Sequence, residues 1–172
     1  MYPNLAPSDV SVNLSGLQFS QPDLVAVLAG ILEETGLKPE ELFLELSETM
    51  ILEEPSQAAG KLAELKDLGV GLAIDDFGTG YSSLSRLAEF PVDRIKLDHS
   101  FVHGLGIGSG TEVVRAILAL ARTMRMRVVA EGVETAAQAK VLQELGCEYG
   151  QGEFFAPPMA PAAQELRFRS IS

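Results

Sequence analysis

The chain has 172 residues, of which 47% are hydrophobic and 22% charged, with a formal net charge of −11; this fits one globular domain over residues 1–172. The negative charge excludes a broad basic surface for nucleic acid, and no apolar run reaches the roughly 18 residues of a membrane span. The single cysteine, Cys147, excludes an internal disulfide and fits a reducing cytoplasm.

Short alternating runs and longer helical patterns follow one another along the chain. Strands are predicted at residues 10–14, 42–48, 71–76, 94–98, 127–133 and 149–154. Helices are predicted between them: one after a capping Ser20 that stops at Gly36, and others at residues 56–68, 111–124 and 135–145. This alternation is typical of a parallel sheet covered by helices, because parallel strands need long crossover connections.

Five of the predicted strands carry a polar residue towards their carboxyl end. These residues are Asn13, Glu45, Asp75, Lys96 and Glu131. Since side chains alternate along a strand, each lies opposite an apolar neighbour that faces the helices. The polar set therefore converges at the carboxyl ends of the strands, where a parallel α/β barrel keeps its active site. An acidic cluster with one amide and one lysine suits a divalent metal and a phosphate ester, with metal ions between carboxylates and phosphate.

Two adjacent carboxylates, Asp75 and Asp76, end the third strand. By themselves they can be an ordinary turn or cap pair. They can also bridge and flank two metal ions, as in two-metal phosphoesterases. The matching positions of Asn13, Glu45 and Glu131 favour the metal site, and oxygen ligands of this kind favour Mg2+ or Mn2+.

Lys96 and Glu131 each have two interpretations. Lys96 can be a solvated surface lysine, but its clean strand alternation predicts cover on both faces. A lysine among carboxylates can hold a nucleophilic water or a phosphate oxygen. Glu131 can be an ion-pair partner of Lys96 or a general base.

Six blocks of sequence resemble one family in content and order. They are Asn13-Leu14-Ser15, Glu45-Leu46-Ser47-Glu48, Asp75-Asp76-Phe77-Gly78-Thr79-Gly80-Tyr81-Ser82-Ser83, Lys96-Leu97-Asp98, Ala130-Glu131-Gly132-Val133-Glu134 and Gln151-Gly152. On these residues the chain is similar to the EAL domain, the bacterial cyclic di-GMP phosphodiesterase. The resemblance implies a modified TIM-type (β/α)8 barrel, here incomplete with about six of the eight strands. It also implies two Mg2+ or Mn2+ ions and hydrolysis of cyclic di-GMP to linear pGpG.

The resemblance also implies roles for individual residues. The implied metal ligands are Asn13, Glu45, Asp75 and Asp76, with Glu131 as general base or as a ligand of the second metal. Lys96 would hold the nucleophilic water, and Glu134 and Gln151 would lie beside the substrate. A regulatory loop linked to dimerisation and metal binding would comprise Phe77, Gly78, Thr79, Gly80, Tyr81, Ser82 and Ser83, with Glu48 as its anchor.

The chain departs from the family in one large respect, because the Glu-Ala-Leu tripeptide and the segment that carries it are not in the sequence. We therefore expect an expressed fragment, a proteolytic remnant or a natural short form of a bacterial cytoplasmic protein, itself weakly active or inactive. Its parent is expected to be fused to a sensory or diguanylate-cyclase-like domain. Two alternatives remain: a module that binds cyclic di-GMP without cleaving it, and a self-associating fragment that pairs, as a homodimer for example, through an open sheet edge.

Overall fold

The computed structural model describes residues 9–53, 55–78, 89–160 and Ala163. Within them a single parallel sheet has six strands in the order β1-β2-β3-β4-β5-β6, so each strand lies beside its neighbours in the chain. The strands are β1 (Val10–Leu14), β2 (Leu42–Ser47), β3 (Gly71–Phe77), β4 (Arg94–Leu97), β5 (Arg127–Ala130) and β6 (Tyr149–Gly150). The predicted α/β fold, an incomplete (β/α)8 barrel of six strands, is confirmed.

Helices connect the strands on one side of the sheet. They are α1 (Gly16–Phe19), α2 (Leu24–Thr35), a 3-10 turn (Pro39–Glu41), α3 (Glu48–Glu53), α4 (Pro55–Leu68), α5 (His99–His103), α6 (Gly110–Thr123) and α7 (Ala136–Glu144). In the ranges 9–53, 55–78 and 89–160, no helix is both long and apolar enough to cross a membrane.

The two faces of the sheet have different chemistry. Apolar side chains from the strands are fully buried beneath the helices, among them Leu44, Leu46, Ile74, Ile95 and Leu97. Burial of each such side chain contributes about 1.5–3 kcal/mol. The side chains between them along the strands face the other way, towards the inside of the half-barrel, and they supply the polar groups of the site. At the open edge, Val10 and Val12 of β1 are about half exposed, at 50% and 47%.

Several predicted boundaries were wrong, each for a local reason. Ser20 does not cap α2, because it ends the short helix α1, which begins at a capping box between Ser15 and Gln18. Glu48 is not in β2 but begins α3. The sixth strand is only two residues long, because the chain turns after Gly152. Gly36 does end α2, in the left-handed conformation (φ 69°).

Candidate metal centre

A buried lysine lies at the centre of the polar face. Lys96 Nζ is 2.5 Å from Glu45 Oε2, 2.8 Å from Glu131 Oε1 and 3.0 Å from Asp75 Oδ1. These four side chains come from β2, β3, β4 and the residue after β5, so adjacent parallel strands deliver one group each. The lysine side chain is only 8% exposed, which excludes the interpretation of Lys96 as a solvated surface lysine.

The lysine and the carboxylates set one another's protonation. Burial by itself would lower the pKa of Lys96, but its close contacts with the carboxylates of Glu131, Glu45 and Asp75 raise that pKa above the ordinary value. Burial raises the pKa of Glu131, against the opposing effect of Lys96 and with the help of the nearby charges of Asp75 and Glu45. Lys96 is therefore a fixed ammonium donor, and Glu131 takes up a proton more readily than an exposed glutamate does.

The backbone of β3 brings two consecutive aspartates to one site. Adjacent residues of a regular strand point to opposite faces, so Asp75 and Asp76 would be separated in an undistorted strand. Here the pairing with β4 shifts register between Ile74 and Phe77, and Asp76 adopts a left-handed conformation (φ 52°). Aspartate tolerates this conformation better than most residues. As a result, one oxygen each from Asp75, Asp76 and Glu131 lies within 4.8 Å of the others.

This carboxylate triad, Asp75, Asp76 and Glu131, fits a divalent cation. Asp75 Oδ1 is buried and has no hydrogen-bond partner among the described residues, and its contact with Lys96 is an ion pair outside hydrogen-bond geometry. A buried carboxylate oxygen left without a hydrogen bond is costly, and a bound cation would satisfy it. Three hard oxygen ligands suit ions such as Mg2+ or Mn2+.

The other two residues predicted as metal ligands lie on the neighbouring strands. Glu45 is 6% exposed and is bound to Lys96. Asn13 pairs in register with Glu45 across β1 and β2, and its side chain is exposed. The structure thus brings Glu45 together with the triad through Lys96 and leaves Asn13 one strand further out.

The two residues predicted to lie beside a substrate have different surroundings. Gln151 lines a cavity of about 430 Å3 whose wall also includes Glu45 and Lys96. Glu134 is half exposed and lies 3.3 Å from His103 Nε2 of α5, and it is not part of that wall. Gln151 is therefore placed to meet a ligand in the cavity, whereas Glu134 faces α5.

The predicted anchor of the regulatory loop contacts the start of that loop. Glu48 is 8% exposed, and its Oε2 accepts a hydrogen bond from the Gly78 amide at 3.5 Å. Phe77 is buried, and Gly78 has a φ of 94°. The remaining residues of the predicted loop, Thr79, Gly80, Tyr81, Ser82 and Ser83, lie outside the described residues.

A second ion pair in the wall of the same cavity was not predicted. Arg94 is 7% exposed and forms two hydrogen bonds to Asp9, at 3.1 and 2.5 Å, while its guanidinium carbon lies 3.4 Å from the centre of the Phe43 ring. The sequence could have indicated that Arg94 faces the cavity, because Arg94 and Lys96 are two positions apart on one strand and must share a face. The sequence around Asp9 has no pattern that would have identified the partner.

Comparison with known proteins agrees with this geometry. The sequence model described as "EAL domain" matches residues 2–158. The chain is 42% identical over 159 residues to the bifunctional diguanylate cyclase/cyclic di-GMP phosphodiesterase MucR of Pseudomonas aeruginosa, covering 92% of this chain and 23% of MucR. It is 38% identical over 154 residues to the cyclic di-GMP phosphodiesterase RocR of the same organism, covering 89% of this chain and 39% of RocR. The chain thus spans well under half the length of either relative.

A solved structure of a MucR phosphodiesterase in complex with c-di-GMP superposes with a TM-score of 0.86 at 40% sequence identity. The superposition covers 91% of this chain and 64% of the other.

Proposed function

This chain belongs to the EAL domain family, and we propose that it hydrolyses cyclic di-GMP to linear pGpG with two divalent metal ions, with weak activity in this short chain. The observation that carries the proposal is the carboxylate triad of Asp75, Asp76 and Glu131 beside a buried Lys96. The names of MucR and RocR support the substrate. In the reaction, the oxygen of water bonds to phosphorus while the bond from phosphorus to the 3′ oxygen breaks, so the ring opens to a linear dinucleotide.

The proposed cofactors are two ions of Mg2+ or Mn2+. Asp75, Asp76 and Glu131 would hold them, with Glu45 and Asn13 as further ligands. When bound, such ions neutralise phosphate charge and make an attacking water more acidic. The buried Asp75 Oδ1 supports this assignment, because it has an ion pair with Lys96 but no hydrogen bond among the described residues, and a metal cation would satisfy it.

The remaining chemistry belongs to side chains of this chain. Lys96 keeps its proton and donates hydrogen bonds, so it would hold the nucleophilic water against the phosphate. Glu131 would accept a proton from that water as general base, or act as a ligand of the second metal. Gln151, in the cavity wall, and Glu134 would contact the dinucleotide.

We also propose that the segment from Phe77 to Ser83 is a regulatory loop anchored by Glu48, and that the protein self-associates, as a homodimer for example. The hydrogen bond from the Gly78 amide to Glu48 supports the anchor. The chain would form one domain of a longer bacterial protein in the cytoplasm, fused to a sensory or diguanylate-cyclase-like domain; the bifunctional name of MucR supports such a fusion.

The proposal is tested by separating the products of cyclic di-GMP incubated with the chain and either Mn2+ or Mg2+. Glu131→Gln is the matched control, because it keeps the size of the side chain and removes its charge and basicity. We expect pGpG that depends on the metal and vanishes in Glu131→Gln. Equal product in the chain and in Glu131→Gln would contradict the proposed site.

A second candidate is a receptor that binds cyclic di-GMP without cleaving it. The observation in its favour is that the preassembled triad suffices for one ion, while Glu45 is held by Lys96 and Asn13 lies one strand away. Titration calorimetry with cyclic di-GMP distinguishes the two functions. Binding without any pGpG would favour the receptor.

A further inference from the structure

Helix α5 lies against both arms of the carboxylate triad. One arm is the end of β3, which carries Asp75 and Asp76, and the other is the segment after β5, which carries Glu131. The Phe101 ring of α5 lies on Gly78, and the His99 side chain lies on Gly132. Each glycine follows a metal-ligand candidate within two residues.

Both contacts are made directly on glycine backbone. A Cβ added at Gly78 would lie 2.8 Å from Cζ of Phe101, and one added at Gly132 would lie 2.6 Å from Cβ of His99. Both glycines also have positive φ angles, 94° and 67°. Any other residue would therefore meet both a steric clash and an unfavourable backbone conformation. Close packing of this kind fixes the backbone more tightly than contact between two flexible side chains.

Helix α5 is itself firmly held, so it can act as a fixed support. Asp98 caps it by accepting a hydrogen bond from the Ser100 amide at 3.0 Å, and Asp98 Oδ2 is 2.8 Å from His99 Nδ1. Val102 is completely buried in the core. The helix also follows directly from β4, which carries Lys96. The segment that continues from Lys96 thus packs on both backbone segments that carry the triad.

We propose that Phe101 is a positioning residue for the metal site. Its ring presses on the Gly78 backbone and so holds Asp76 in the left-handed conformation that places its carboxylate beside those of Asp75 and Glu131. Without the ring, the end of β3 can relax towards regular alternation, which turns Asp76 away from Asp75. This inference rests on the proposed function in so far as the triad binds metal.

The test compares Phe101→Leu with Phe19→Leu. The second variant removes the same atoms from a buried phenylalanine of α1 and serves as a matched control. Free Mn2+ is followed by electron paramagnetic resonance during titration, and stability by urea unfolding. We expect Phe101→Leu to weaken Mn2+ binding roughly tenfold, as residues that orient metal ligands do. Phe19→Leu should leave Mn2+ affinity unchanged within about twofold while losing comparable stability. Equal Mn2+ affinities in the two variants would overturn the proposal.

Cα and Cβ chemical shifts without metal separate this proposal from the proposed function, because they report the backbone conformation. We expect Phe101→Leu to move the Cα and Cβ signals of Asp75 and Asp76, whereas Phe19→Leu leaves them in place. If the unsubstituted chain binds no Mn2+, the proposed metal site is wrong, and these chemical shifts alone decide the role of Phe101. Unmoved signals at Asp75 and Asp76 would then refute it.

A double-mutant cycle checks the contact itself. Gly78→Ala should disturb the amide signals of Asp75 and Asp76 less in the Phe101→Leu background than in the parent, because the ring atoms that the new Cβ meets are gone. Additive effects would contradict a direct contact.

Discussion

Replacing Lys96 with methionine removes the ammonium group that lies among the carboxylates of the candidate site. Its three carboxylate partners, Glu45, Asp75 and Glu131, are only 6%, 20% and 20% exposed. Removing one partner from a buried ion pair costs about 3–5 kcal/mol, because it leaves buried charge uncompensated. We expect a loss of this size in the free energy of unfolding, or a melting temperature lower by roughly 6–20 °C for a chain of this length.

The assay is urea unfolding of Lys96→Met, with and without Mn2+. Lys140→Met is the control, since Lys140 is 76% exposed and pairs with Glu144 across 3.8 Å; its loss should cost no more than about 0.5 kcal/mol. Mn2+ at a hundredfold excess over its dissociation constant stabilises a folded state that binds it by about 2.7 kcal/mol. In Lys96→Met no ammonium group competes with Mn2+ for the carboxylates. Mn2+ should therefore stabilise Lys96→Met at least as much as it stabilises the unsubstituted chain.

Two results would be incompatible with a buried Lys96 held among metal-binding carboxylates. If Lys96→Met were as stable as Lys140→Met, Lys96 would not be compensating the buried charges of Glu45, Asp75 and Glu131. If Mn2+ stabilised the parent but not Lys96→Met, the carboxylates would not be the ligands of the metal.

Three further predictions concern residues outside the triad. Asp98→Ala should cost about 1 kcal/mol in urea unfolding at neutral pH, because it removes the cap of α5. Burial by itself would raise the pKa of Asp98, but hydrogen bonds from Ser100 and the contact with His99 together lower it, so this difference should be complete above the ordinary aspartate value and disappear as the pH falls through the lowered one. Gly71→Ala should destabilise the protein by about 1–3 kcal/mol, because the new Cβ would clash with the Phe43 ring. Gly60→Ala is the control: its Cβ would lie in open space on α4, so it should stabilise the protein by about 0.5–1 kcal/mol. A destabilised Gly60→Ala variant would contradict this expectation. Cys147 should react with Ellman's reagent only on unfolding, because burial raises the pKa of its thiol; rapid reaction of the folded protein would be the contrary result.

The face of the sheet on which each side chain lies could be predicted because period-two alternation is strong in the centre of the sheet. In β4, Ile95 and Leu97 are fully buried under the helices while Lys96 faces the carboxylates, as alternation requires. The same rule fails for Asp76. Strand alternation alone would place it opposite Asp75, and only the register shift and the positive φ angle bring the two together.

Short elements were the least predictable part of the chain. Helix α5 has five residues, too few to show a helical period, although Asp98 two positions before Ser100 was a usable capping signal. Its contacts with Gly78 and Gly132 depend on packing between segments far apart in sequence, which no local pattern encodes. The pairing of Glu134 with His103 was missed for the same reason.

Anomalous scattering from crystals grown with Mn2+ would show whether Asp75, Asp76 and Glu131 hold divalent metal. We predict anomalous peaks within about 2.5 Å of oxygens from all three carboxylates, at the spacing of roughly 3.5–4 Å that two-metal sites use. A map collected at the manganese edge with no peak at the triad, or with peaks only elsewhere on the protein, would mean that these three carboxylates do not form a metal site.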